Sequence, residues 1–164
     1  MTDRWAGSVA SSAEGETAPA NAADTAALIE RWRIIRPRYL QLFAGDVVAL
    51  DIEHRVLEMQ FDVGAQWGHV IGLQGGIVAG MLDSTMAQCL ILCSGFTISP
   101  PTLELKVSYL APARPGVFRA LGSIEHRGRS IAFTRSELRD AGGVLVATAT
   151  ATSRLLPRNP VAPL

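Results

Sequence analysis

From Gly75 to Leu92 the residues Ile77, Val78, Met81, Leu82, Met86, Leu90 and Ile91 recur at helical spacing, and most positions between them are small or apolar. A helix that is apolar nearly all round must be covered on most sides. Its cover therefore has to come from the rest of the chain, and the only carboxylate it carries, Asp83, has to be accommodated inside that cover. An ionised Asp in such surroundings costs several kcal/mol (order of magnitude) of desolvation unless polar partners or a water-lined cleft meet it.

The covering material is legible as strands. Leu57, Met59 and Phe61 alternate with Glu58, Gln60 and Asp62, the mark of a strand with one face covered and one wet. Leu103, Leu105, Val107 and Tyr109 repeat the pattern against Glu104, Lys106 and Ser108. Further rows run through Phe118, Ala120, Gly122 and Ile124, then Ala132, Thr134, Ser136 and Leu138, then Leu145, Ala147, Ala149 and Ala151. Turn residues at Pro112 to Gly116, Arg127 with Gly128, and Asp140 to Gly143 separate them, and loops this short predict that consecutive strands pair antiparallel. The small inward row of the last strand would let a helix approach closely. The expectation is an α+β fold, one curved antiparallel sheet of five or six strands wrapped around a central helix.

The remaining segments are minor. Residues 1–22, rich in Ala, Ser, Gly, Glu and Thr, read as a flexible tail, leaving 23–158 as one domain with a helical N-terminal extension. In that extension Asp24 or Thr25 would cap a helix through Ala27, Leu28, Ile29, Trp32 and Ile35. Pro37 would end the helix at Arg36, and a short turn through Tyr39, Leu40 and Phe43 would follow. Arg31, Arg33, Arg36 and Arg38 read as its solvated face. With 15 basic and 15 acidic residues the chain has no net charge, which argues against a general nucleic-acid binder. No apolar stretch is expected to be long enough to span a bilayer, and with no signal-like N-terminus the expected location is the cytoplasm. Cys89 and Cys93, four apart on the helix, read as small buried hydrophobes in a reducing compartment.

Chemistry would concentrate where the helix begins. Gly75 and Gly76 follow Gln74 and leave backbone N–H groups unshielded at the positive end of the helix dipole, as an oxyanion hole for acyl chemistry requires. Asp83, two turns on, is either paired or useful.

Four segments carry a family resemblance. Gln74-Gly75-Gly76 through Asp83 resembles the His-Gly-Gly…Asp helix start of the hotdog-fold acyl-CoA thioesterases of the phenylacetate-pathway, PaaI-like type. Thr102 to Gly116 resembles their following strand and turn, and His126-Arg127-Gly128-Arg129 and Gly143 to Thr150 match in kind and order, so the likeness spans roughly 45–156. It implies a hydrolase for a small or medium acyl-CoA, with Asp83 as general base or nucleophile and the Gly75 N–H polarising the thioester carbonyl. It also implies that the two groups come from opposite subunits of a homodimer or homotetramer whose edge strands pair, with no metal or other cofactor beyond the CoA of the substrate. An acyl pocket would lie between the central helices, with Gly76, Met81, Leu82, Ser84 and Met86 as candidate lining. The phosphates of CoA would meet Arg114, Arg127 and Arg129 as a local cluster.

The family's His is replaced by Gln74, which cannot take up a proton at neutral pH, and its upstream loop amide falls on Gly68 at strict spacing, or on His69 if the loop is one residue shorter. His69-Val70-Ile71-Gly72 also resembles the loop of hotdog hydroxyacyl dehydratases, in which a loop His works with a helix acid. Such a dehydratase using His69 and Asp83, and a non-catalytic acyl-CoA binding protein, are the alternatives.

Overall fold

A computed structural model describes residues 22–158; the expected tail, Ala22 excepted, lies outside them. In chain order the elements are helix α1 (Ala22–Ile35), a 3₁₀ turn (Arg38–Phe43), strands β1 (Asp46–Asp51) and β2 (Val56–Val63), a short 3₁₀ turn (Ala65–Trp67), helix α2 (Gly75–Cys93), and strands β3 (Ile98–Ser99), β4 (Thr102–Tyr109), β5 (Gly116–Arg127), β6 (Ile131–Asp140), β7 (Leu145–Arg154) and β8 (Leu156–Pro157). Six strands form one antiparallel sheet in the order β1-β2-β5-β6-β7-β4, and β3 pairs with β8 separately.

Helix α2 lies in the sheet's concave face as its pattern demanded, in the hotdog arrangement. Val78, Met81, Leu82, Met86, Leu90 and Leu92 are sealed beneath the sheet. They pack with the inward rows Leu57, Met59 and Phe61 of β2, Phe118 and Ala120 of β5, Leu138 of β6, and Ala147, Ala149 and Ala151 of β7. Gly122 shows how close the approach is, because a Cβ there would stand 2.9 Å from Thr85 Cγ2 on the helix. Two buried polar groups of α2 are partnered: Thr85 Oγ1 donates to the Met81 carbonyl at 2.8 Å, and Gln88 Oε1 accepts from the fully buried Trp32 indole at 2.8 Å. That last bond ties α1 to α2. By length and composition α2 could cross a membrane, contrary to the expectation from sequence. Its setting gives the reason for so much apolar surface: most of it is buried against the sheet.

Three other expectations change. Consecutive pairing holds for β1-β2, β5-β6 and β6-β7, but β4 does not pair with β5. The chain crosses from the β4 edge to the sheet's middle, so the Pro112 to Gly116 turn is a crossover rather than a hairpin. The β4 row is correspondingly less regular: a bulge falls between Thr102 and Glu104, Leu105 and Val107 are half-buried, and Leu103 and Tyr109 are exposed. Helix α1 already includes Ala22, which puts Asp24 inside its first turn rather than at the cap. Nor do its arginines form a purely solvated face. Arg31 stacks over Phe96 with its guanidinium 4.5 Å from the ring centre, and Arg33 and Arg36 reach the carbonyls of Val47 and Gly45.

Candidate active site

Helix α2 starts as the sequence predicts. Gln74 is its N-cap, and its Oε1 accepts from the Ile77 N–H at 3.2 Å while its carbonyl accepts the same group at 2.9 Å. The N–H groups of Gly75 and Gly76 come too early in the helix to have an intrahelical acceptor. The Tyr109 hydroxyl, from the end of β4, donates to the Gly75 carbonyl at 2.9 Å, and a Cβ on Gly75 would meet that hydroxyl oxygen at 3.2 Å. Residue 75 is thus glycine where a side chain would press on the group that fixes the helix start.

Beside this start lies a cleft of about 150 Å³ lined by His69, Ile71, Leu73, Gly75, Val78, Tyr109 and neighbouring residues. Its preceding loop is a tight turn in which His69 N–H and Gly72 N–H exchange hydrogen bonds with each other's carbonyls, at 2.8 and 3.2 Å. Val70 and Ile71 at the tip are exposed, and the exposed His69 has its Nδ1 3.3 Å from the Ile71 N–H. Gly72 is needed for close packing, since a Cβ there would lie 2.6 Å from the Ala113 carbonyl oxygen.

Asp83 is half-buried on the other side of α2 from the sealed Val78, Met81 and Leu92, on a stripe with Gly76, Ala79, Gly80 and Ala87. The Thr102 hydroxyl at the start of β4 donates to its Oδ1 at 2.8 Å. Asp83 does not line the cleft. It stands eight positions after Gly75, a rise of about 12 Å along the helix.

Several predicted site residues lie elsewhere. Met81 and Met86 are packed beneath the sheet and Ser84 is buried, so none of the three faces open space in the single chain. Gly76 is exposed at the helix start, where a Cβ would run into Gln74 Oε1 at 2.7 Å. Arg114 precedes β5 and Arg127 ends it; twelve extended residues put them roughly 36 Å apart, so Arg114 does not cluster with Arg127 and Arg129 within one chain. Sequence reasoning missed Thr102 and the hydroxyl role of Tyr109. The only available signal was a hydroxyl at each end of one strand.

The sequence model of the Thioesterase superfamily matches residues 73–147, the segment from the cleft loop through α2 and β4 to β7. A phenylacetic acid degradation-related protein of Ralstonia eutropha JMP134 superposes with a TM-score of 0.69 at 33% identity, over 74% of this chain and 96% of that one. The chain belongs to the thioesterase superfamily. The PaaI protein of E. coli, from the phenylacetic acid degradation operon, shares the fold at a TM-score of 0.70 and 15% identity, covering 80% of this chain and 94% of its own. Among curated sequences, the medium/long-chain acyl-CoA thioesterase YigI of Salmonella typhimurium is 30% identical over 102 residues, and that of E. coli equally so. This superfamily member matches 52% of its own length there and spans 63% of those relatives. Among its described residues no group of three or more His, Cys, Asp or Glu is arranged to hold a metal ion.

Proposed function

We propose that the protein hydrolyses acyl-CoA thioesters in a site completed by two copies of the chain. The observation that carries this reading is the placement of Asp83. It is the sole carboxylate of an apolar helix, it stands on that helix's half-open face with a hydroxyl donor at 2.8 Å, and it lies well away from the bare amides of its own helix start. In this scheme the Gly75 N–H of one copy polarises the thioester carbonyl and stabilises the oxyanion as charge develops. Asp83 of the other copy takes a proton from water, or attacks the carbonyl carbon itself, and thiol leaves as CoA. Thr102 holds Asp83 in one rotamer throughout.

Gln74 supports the site by fixing the helix start rather than by proton transfer. A cleft of about 150 Å³ is below the roughly 300 Å³ at which ligand pockets begin, which fits half of a shared site. The open edge of β4, with unpaired backbone groups and the exposed Leu103 and Tyr109, offers the surface for pairing copies. YigI acts, by its name, on medium and long acyl chains, and the exposed apolar Val70 and Ile71 beside the cleft favour an apolar acyl group here too.

The test is thiol release from a panel of acyl-CoAs, from short aliphatic to long-chain and aromatic, with the full chain. Turnover of at least one class is expected. Absence of thiol release together with loss of water from hydroxyacyl thioesters would favour the dehydratase instead. Thermal stabilisation by CoA esters without turnover would favour a binding protein.

A further inference from the structure

The open face of α2 is covered at one point by an aromatic ring. A Cβ on Gly80 would stand 3.8 and 4.0 Å from Cε2 and Cζ of Phe43, so the ring lies against the glycine with no helix side chain between them. Phe43 ends the 3₁₀ turn Arg38–Phe43, and the chain turns sharply behind it through the left-handed Ala44, at φ 45° and ψ 40°. The Ala44 N–H donates to the Gln41 carbonyl at 3.2 Å and the Gly45 N–H to that of the fully buried Leu40 at 2.8 Å, which pins the turn.

The Phe43 ring also meets Trp67 edge to face, with ring centres 5.9 Å apart and planes at 69°. Trp67 is tied to the start of α2, since its carbonyl accepts from the Gln74 N–H at 3.0 Å. Both aromatic residues are half-buried. Both lie outside residues 73–147, the segment that the superfamily model matches, so this cover comes from the part of the chain that the model does not describe.

We propose that Phe43, braced by Trp67, is the wall that ends the acyl pocket and limits the length of acyl chain the protein accepts. This rests on the reading of Asp83 as the acid of a shared acyl-CoA site. Gly80 precedes Asp83 by three positions, so the two share a helix face and differ by a rise of about 4.5 Å. A thioester carbonyl within reach of Asp83 carries its acyl group on one side and the CoA arm on the other. The CoA arm is long, polar and charged and has to run out to water. Toward the helix start the face meets the aromatic pair, whereas beyond Asp83 it continues along the small, half-buried Ala87. The acyl group is therefore the part that turns toward Phe43. Each added carbon then presses on a ring that Trp67 and the pinned turn keep from moving aside.

The experiment measures kcat/KM of the full chain over a straight-chain series from acetyl-CoA to palmitoyl-CoA, each below its micellar concentration. In Phe43→Ala the optimum should move to longer chains. The ratio of kcat/KM for the first chain beyond the unaltered optimum to that for the optimum itself should rise about tenfold or more, the scale of one methylene in an apolar pocket. Phe43→Leu, which keeps an apolar filler if alanine unfolds the turn, should shift the profile the same way by less. Leu42→Ala, at an exposed position of the same turn, should leave the profile as it is. A folded Phe43→Ala or Phe43→Leu with the unaltered profile, or with an equal loss at every chain length, would overturn the proposal and leave the shared site standing. An unaltered chain that hydrolyses none of the series would overturn the shared site and this wall with it.

Discussion

The two faces of α2 make opposite use of the same helix. One face carries Val78, Met81, Leu82 and Leu92, which lose essentially all contact with solvent beneath the sheet. The other carries Gly76, Ala79, Gly80, Asp83 and Ala87, small side chains that stay half-open or exposed around a single acid. The sealed face is finished within one chain. The open face, in the proposed site, is completed by a second copy of the chain. The difference separates the residues that hold the fold from those proposed to act on substrate, although both belong to one apolar stretch of sequence.

The largest effect should come from the open face. Asp83→Asn keeps the shape and the Thr102 contact but removes the base, and acyl-CoA turnover should fall by about 10²–10⁴-fold with the unfolding midpoint little changed. Unaltered turnover would take Asp83 out of the chemistry. On the sealed face the balance reverses. Met81→Ala should cost about 2–5 kcal/mol of stability in chemical denaturation, because it leaves a cavity under the sheet. Enzyme that remains folded should lose little turnover per site, and a selective loss of turnover would blur the distinction between the faces.

Thr102→Val probes the support of the open face. Without the hydroxyl at 2.8 Å, turnover should drop about tenfold, the scale of one hydrogen bond to a charged group, and Thr102→Ser should recover it. Equal losses in both variants would assign Thr102 to packing. The smallest effect lies away from α2, in the Asp51–His54 pair at 2.8 Å. A hydrogen bond to Asp51, then its charge, raises the His54 pKa, and the His54 backbone N–H chiefly lowers that of Asp51. Their contribution to stability is lost as pH rises through the folded His54 pKa, and lost again as pH falls through that of Asp51. Asp51→Asn should shift the His54 titration, followed by NMR, to lower pH, and an unmoved midpoint would mean that the pair does not persist in solution.

Much of this was legible in the chain. The inward rows of β2, β5, β6 and β7 follow from alternation, and α2 follows from its 3.6-residue repeat, because one side chain's burial dictates the next of its kind. Strand order was not. The short link before β5 looks like a hairpin turn, and only the packing of the whole sheet sends β4 to its far edge. The same limit explains the site. Gly75 and Asp83 stood out because glycine and a lone acid are conspicuous in an apolar run, whereas Thr102 and Tyr109 are ordinary strand residues until topology brings β4 alongside α2. For Met81 and Met86, periodicity says that each faces an interior without saying which one, and in the single chain that interior is the space beneath the sheet. Arg114 and Arg127 are thirteen positions apart in sequence, and the intervening strand spends that separation on distance.

The central claim is that one copy supplies the acid and another the amide. Proline at position 75 would delete that N–H at the one helical position where proline fits, after a residue already extended at φ −63° and ψ 135°. Asp83→Asn and Gly75→Pro chains, each expected to be nearly inactive, can be mixed, unfolded and refolded together. Random pairing should restore about one quarter of the turnover of chains without substitutions carried through the same cycle, since half the dimers would hold one intact site of two. No recovery above the separate variants, with the unsubstituted control fully refolded, would contradict a site shared between copies.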